Sequence, residues 1–215
     1  MIELHYFPGN VSLVPHIMLA ELGLDFKLRF VDRAAAAHKS PAYLRMNPNG
    51  LIPVLVDGDF VLYETAAICL HLADCHREAG LVPPVGSVER AQFYKWLMWL
   101  TNTLQATLIV YFYPERWVNS GNSAAAGEVK AHAEQKIGAM LDQLEAELGA
   151  RGGDWLLGAN YSALDPYLFV LCRWTRGFGR PARALPHVGR YLQRMLARPA
   201  VQKACATEQL AAPLV

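Results

Sequence analysis

The sequence predicts an α/β N-terminal domain followed by an all-α C-terminal domain, and three observations carry that prediction. Over about the first eighty residues the apolar pattern switches repeatedly between a period of two and a helical period. The segment Gly80-Leu81-Val82-Pro83-Pro84-Val85-Gly86-Ser87 then breaks all periodicity. Beyond it, no strand-like alternation competes with helix. The expected boundaries are residues 1–78 for the first domain, 79–87 for a linker and 88–215 for the helical domain. A chain of 215 residues has room for two modest cores, because domains cluster near roughly 100–150 residues.

Ile2 to Tyr6 reads as a strand and Pro8-Gly9-Asn10 as a turn. Apolar positions from Leu13 to Leu22 recur at helical spacing, and Gly23 stands where a helix usually stops. Phe26 to Val31 alternates apolar and charged residues, as a half-buried strand does. Ser40-Pro41 opens a short helix to about Met46, and Asn47-Pro48-Asn49-Gly50 is dense turn chemistry. Pro53 to Val56 and Phe60 to Leu62 read as a hairpin around Asp57-Gly58-Asp59, and Thr65 to Cys75 as a helix. The order β-α-β-α-β-β-α is that of a thioredoxin-like domain. In the second half, helices are expected from Ser87 to about Phe112, Ala124 to Leu148, Asp165 to about Thr175, Val188 to Ala197 and Pro199 to Ala206.

Composition removes several function classes. The net charge is +1, with 20 basic and 19 acidic side chains, so no basic field is available for nucleic acid. The four cysteines, at 69, 75, 172 and 205, form no Cys-x-x-Cys pair and no zinc-spaced cluster, so no metal site is expected. No stretch has the ~18 uncharged apolar residues of a membrane span, and the N-terminus lacks a signal pattern. A cytoplasmic protein without membrane or nucleic-acid partners is the expectation.

Two motifs in the first half carry chemistry. In Leu51-Ile52-Pro53-Val54-Leu55, a proline enters a strand to which it cannot donate, leaving neighbouring backbone free. A cis Ile52-Pro53 bond would present the Ile52 N–H and C=O as a small docking edge; an ordinary edge-strand proline has the same sequence. In Tyr63-Glu64-Thr65-Ala66, Thr65 is placed as an N-cap, so the helix start would accept a carboxylate while Glu64 answers an ammonium group. A plain helix cap is the competing reading. A peptide-docking edge followed by a site for an amino-acid head suggests a small peptide as ligand. Here the sequence resembles the cytosolic glutathione transferases, in which a Val/Ile-Pro pair and a Glu-Ser/Thr pair occupy these places. The resemblance implies that Ile52, Pro53, Glu64 and Thr65 bind glutathione. Tyr161-Ser162-Ala163-Leu164-Asp165 adds a Ser-x-x-Asp capping box resembling the one in that family's second domain, with Ser162 capping the N3 amide and Asp165 reaching back to the Ser162 amide.

Conjugation needs a glutathione thiolate near neutral pH, whereas a free thiol has a pKa of ~8.5, so a donor must face the sulfur. Three residues at the first strand–helix junction qualify, in the order Ser12, Asn10 and Tyr6. Ser12 could donate at the helix start or simply cap it, Asn10 could donate its amide or serve the turn, and Tyr6 could donate its phenol or pack in a core. The bacterial beta class is the nearest match, through Pro8-Gly9, Ser12-Leu13 and His16-Ile17. Val11 stands where that class has a cysteine, which excludes a mixed disulfide there and favours a serine or serine/asparagine site. His38 and Lys39 sit in the segment where related classes bind the glycine carboxylate, as a solvated loop would also have them, and Asn49 is a further candidate in the turn before Ile52. Tyr111, Tyr113 and Trp117 concentrate aromatic surface suited to an apolar co-substrate, as they equally would to core packing. The resemblance therefore implies a detoxifying transferase with glutathione as co-substrate, a small apolar electrophile as second substrate, and a homodimer. Glutathione-dependent isomerisation or dehalogenation, and non-catalytic glutathione binding, are the alternatives.

Overall fold

The computed structural model describes residues 1–215, which divide into two units. The first comprises Met1–Val82 with Met195–Ala212, the second Pro83–Arg194 with Pro213–Val215. The break after Val82 falls inside the expected linker. The second domain, expected to run unbroken to residue 215, instead surrenders Met195–Ala212 to the first unit.

In the first unit, strands β1 (Ile2–Tyr6), β2 (Phe26–Phe30), β3 (Val54–Asp57) and β4 (Phe60–Tyr63) form one sheet of order β2-β1-β3-β4. β1 pairs parallel with β2 and antiparallel with β3, and β3 pairs antiparallel with β4. The parallel pair requires a crossover, which helix α1 (Leu13–Glu21) supplies. Pro15 is tolerated there because the first helical turn has no internal acceptors for its N–H groups. Every residue of α1 from Leu13 to Leu19 is buried. That all-round apolar character follows from its neighbours: β1, α3 (Thr65–Cys75) and the C-terminal helix α9 (Pro199–Thr207) all contact it. Arg198, immediately before α9, binds both carboxylate oxygens of Glu21, at 2.6 and 2.8 Å. A second cluster of Val31, Tyr43 and Val54, joined by Met46 and Ile52, packs helix α2 (Pro41–Met46) on the sheet.

The second unit is helical as expected. Helices α4 (Val88–Trp99) and α5 (Ala106–Phe112) are joined by a π-helical turn, Leu100–Gln105, in place of the single expected helix; such turns often mark functional sites. Helix α6 spans Ser123–Ala150, α7 Leu164–Trp174 and α8 Pro186–Leu196. α7 is buried from Leu164 to Arg173, and its start is held by the fully buried Asp165. That carboxylate accepts from the Ser162 amide at 2.7 Å, the Leu156 amide at 3.0 Å and the Tyr191 hydroxyl at 3.1 Å. The expected backward arm of the capping box is therefore present. The forward arm differs: α7 begins at Leu164, so the Ser162 hydroxyl accepts from the Leu164 amide at 3.3 Å rather than from the N3 amide. No helix is long and apolar enough to cross a membrane.

Candidate functional site

The junction between β1 and α1 is a tightly tied loop. Ser12, wholly buried, donates its hydroxyl to the Phe7 carbonyl at 3.2 Å and accepts from the Phe7 amide at the same distance. The Asn10 backbone N–H donates to that same carbonyl at 3.1 Å. Ser12 stands at the cap position of α1 but makes no side-chain cap contact, its hydroxyl facing the Phe7 backbone instead. Asn10 accepts from the Val11 amide through Oδ1 at 2.6 Å, which turns its Nδ2 donor away from that contact. Tyr6 lies edge-on to His16 and Phe30, and burial followed by the charge of Glu208 raises its phenol above the ordinary tyrosine range. Val11 is buried beside them.

A partner that no local pattern announces completes this loop. Glu208, just beyond α9, accepts the Gly9 amide at 2.8 Å and pairs with His16 Nδ1 at 2.8 Å. Both side chains are almost fully buried. Nothing in the sequence near Gly9 points to a carboxylate 199 residues away; only the packing of α9 on α1 brings it there.

The structure brings the remaining candidates of the first unit into two groups. In the first, the Ile52-Pro53 peptide is cis. The ladders of β3 begin at Val54, so Ile52 lies outside both pairings. Lys39 Nζ donates to the Asn49 carbonyl at 3.3 Å, and Gly50 fits against the same turn with φ +60°, where a Cβ would lie 2.8 Å from the His38 carbonyl oxygen. His38, Lys39 and Asn49 are thereby held together at this turn. The His38 Nδ1 is buried without a hydrogen-bond partner, and desolvation with the charges of Lys39 and Arg33 depresses the ring's pKa.

The second group is the start of α3. The expected N-cap, Thr65, is instead the first helical residue, and Glu64 occupies the cap position with φ +72° and ψ +114°. A positive φ on a non-glycine residue is strained and clusters at functional positions. Its consequence is geometric: the Glu64 carbonyl accepts the first helical bond from Ile68 at 3.0 Å, while the Glu64 side chain stays exposed and makes no cap contact. The amides that open α3 have no helical acceptors, so they remain available to an anion.

In the second unit the two tyrosine candidates each have their own ring partners. Tyr111 packs on Phe178 with ring centres 4.3 Å apart and the planes tilted, and carries Lys130 over its ring, while Tyr113 lies under the Arg116 guanidinium at 3.9 Å. Trp117 is exposed and lines an open groove of about 610 Å³ with Arg116, Val118, Asn119, Asn122 and Ala125. No disulfide joins the four cysteines; burial pushes the Cys172 thiol up to about 12 and Cys69 beyond the usual range, whereas Cys75 is exposed.

The family model described as glutathione S-transferase, N-terminal domain, matches residues 2–74, and the one described as glutathione S-transferase, C-terminal domain, matches residues 127–194. The chain belongs to the glutathione S-transferase family. Glutathione S-transferase GST-4.5 of Xanthomonas campestris is 33% identical over 208 residues, covering 97% of this chain and 99% of its own. Glutathione S-transferase GstA of Escherichia coli O157:H7 is 31% identical, again over 97% of this chain and 99% of its own. A glutathione transferase homologue from Sulfitobacter, solved with bound glutathione, is 30% identical with a TM-score of 0.88 over 98% of this chain and 99% of its own. The thioredoxin-like first half and helical second half expected from the sequence are those of this transferase family.

Proposed function

We propose that this transferase binds glutathione on its first unit and conjugates the thiolate to a small apolar electrophile. The observation that carries the reading is the pair of features in that unit: an Ile52 backbone left outside the β3 ladders, and a strained Glu64 opening α3. The Ile52 edge would pair with the cysteinyl backbone, with Pro53 shaping the turn. The first amides of α3, with Thr65 and Glu64, would hold the γ-glutamyl carboxylate and ammonium. Lys39, His38 and Asn49 would meet the glycine carboxylate, with Lys39 supplying the charge. Tyr111, Tyr113 and Trp117 are assigned to the electrophile, and the active protein is assigned as a homodimer, which sedimentation tests.

The thiol donor is assigned to Asn10 or Tyr6 ahead of Ser12. Ser12 would have to exchange the Phe7 carbonyl for the sulfur, whereas the Asn10 side-chain Nδ2 is not used in its contact with Val11. Lowering the thiol pKa by about two units corresponds to roughly 2.7 kcal/mol of differential interaction. Titration of bound glutathione at the thiolate absorbance, run in parallel with conjugation of an activated aryl halide, measures it. Asn10→Ala and Tyr6→Phe separate the two donors, and Ser12→Ala is expected to leave the thiol pKa in place while lowering stability. An unshifted thiol pKa in the wild type overturns the reading.

A further inference from the structure

The carbonyl oxygen of Leu51 accepts two hydrogen bonds, from Tyr43 Oη at 2.9 Å and from Asn47 Nδ2 at 2.9 Å. Both donors are buried, Tyr43 to 4% exposure and Asn47 to 2%. Neither side chain is free to turn. The Tyr43 ring sits in the cluster of Val31, Val54 and Ile52 and lies edge-on to His5 at 5.9 Å. Asn47 accepts the Asn49 amide on Oδ1 at 3.0 Å, and its backbone carbonyl accepts the Gly50 amide at 2.9 Å. Burial holds the Tyr43 phenol well above the ordinary range, so it remains a donor at any working pH.

The Leu51–Ile52 peptide is planar and trans, so its N–H points opposite to its C=O. Two buried donors that hold the Leu51 oxygen therefore aim the Ile52 N–H in the other direction. That amide belongs to the residue lying outside the β3 ladders. Granted glutathione as the ligand of this edge, we propose that Tyr43 and Asn47 are positioning residues that aim the Ile52 backbone at the cysteinyl unit of the tripeptide. They touch no ligand themselves. Preorganising the donor removes the cost of ordering it when glutathione arrives, so their contribution is to binding. The edge meets the same part of glutathione in ground and transition states, so the effect falls on KM for glutathione and leaves kcat in place.

The test uses the full chain. Tyr43→Phe removes one donor without changing the ring, and Asn47→Ala removes the other together with the turn it anchors. Ser40→Ala is the structural control: it deletes the hydroxyl that caps α2 through the Tyr43 amide at 3.2 Å and leaves the Leu51 carbonyl alone. For Tyr43→Phe, calorimetry and steady-state kinetics are expected to give a glutathione Kd and KM raised about fivefold, the loss of roughly one ordinary hydrogen bond. Its kcat and its KM for an activated aryl halide are expected to stay at wild-type values. Ser40→Ala is expected to lower the melting temperature with glutathione affinity unchanged. Wild-type glutathione affinity in Tyr43→Phe overturns the inference, as does an equal loss of affinity in Ser40→Ala. If Asn47→Ala does not fold, Tyr43→Phe decides alone. A wild-type protein that binds no glutathione overturns the proposed function and this inference with it, a result distinct from a binding wild type with unaffected variants.

Discussion

Replacing Glu208 tests how the C-terminal segment supports the first unit's loop. In Glu208→Ala two buried groups lose their acceptor together: His16 Nδ1, paired at 2.8 Å, and the Gly9 amide, also at 2.8 Å. Stranding the buried His16 Nδ1 without its partner costs roughly 2 kcal/mol. The stranded Gly9 amide adds about 1–3 kcal/mol, unless water enters where the carboxylate was. A net loss of about 3–5 kcal/mol follows, and at roughly 2–4 °C per kcal/mol for a chain of this size the melting temperature falls by about 6–20 °C. Glu208→Gln separates the two contacts. Its side-chain carbonyl still accepts Gly9 and its amide still reaches the His16 ring, so the expected loss is only about 1–2 kcal/mol. Thermal melting with glutathione calorimetry on both variants measures this, with binding weakened in Glu208→Ala because Gly9 adjoins Asn10. A Glu208→Ala protein melting within about 2 °C of wild type would refute the reasoning, and so would equal losses in the two variants.

Two further outcomes follow from the packing. Gly50→Ala places a Cβ 2.8 Å from the His38 carbonyl at φ +60°, so it is expected to destabilise the first unit by more than about 1 kcal/mol and to weaken glutathione binding; an unchanged melting curve and Kd would count against the close fit. Burial raises the Asp165 carboxyl to about 6 against the hydrogen bonds it accepts. Its folded value lies above the unfolded ~3.9, so the linked stability is full below about pH 4 and is lost as pH rises through 6. Wild type is therefore expected to gain roughly 2 kcal/mol on Asp165→Asn between pH 7 and 4.5, measured by denaturant unfolding; a difference independent of pH would refute it.

What could be read from the sequence was whatever depends on neighbours along the chain. The period-two runs at Ile2–Tyr6 and Phe26–Phe30 and the turn residues around Gly50 and Gly58 mark their elements because strands and turns are local solutions to backbone sterics. Ile52-Pro53 and Glu64-Thr65 were legible for the same reason, since a proline entering a strand and a polar pair opening a helix carry their geometry within a few residues. The Thr65 cap was misplaced by one residue because Glu64 adopts a positive φ that no propensity anticipates.

Tertiary structure decided the rest. That the Ser12 hydroxyl meets the Phe7 backbone depends on where the Phe7 carbonyl lies, which only the folded loop sets. The double hold on the Leu51 carbonyl needs α2 packed against the sheet, and the Glu208 contact needs the last helix to return to the first. The sequence by itself determined the elements, the family motifs and the class of ligand they suit. Only the fold determined which buried donors and carboxylates hold those motifs in place, because hydrogen bonds between residues 199 positions apart leave no periodic trace in the chain that makes them.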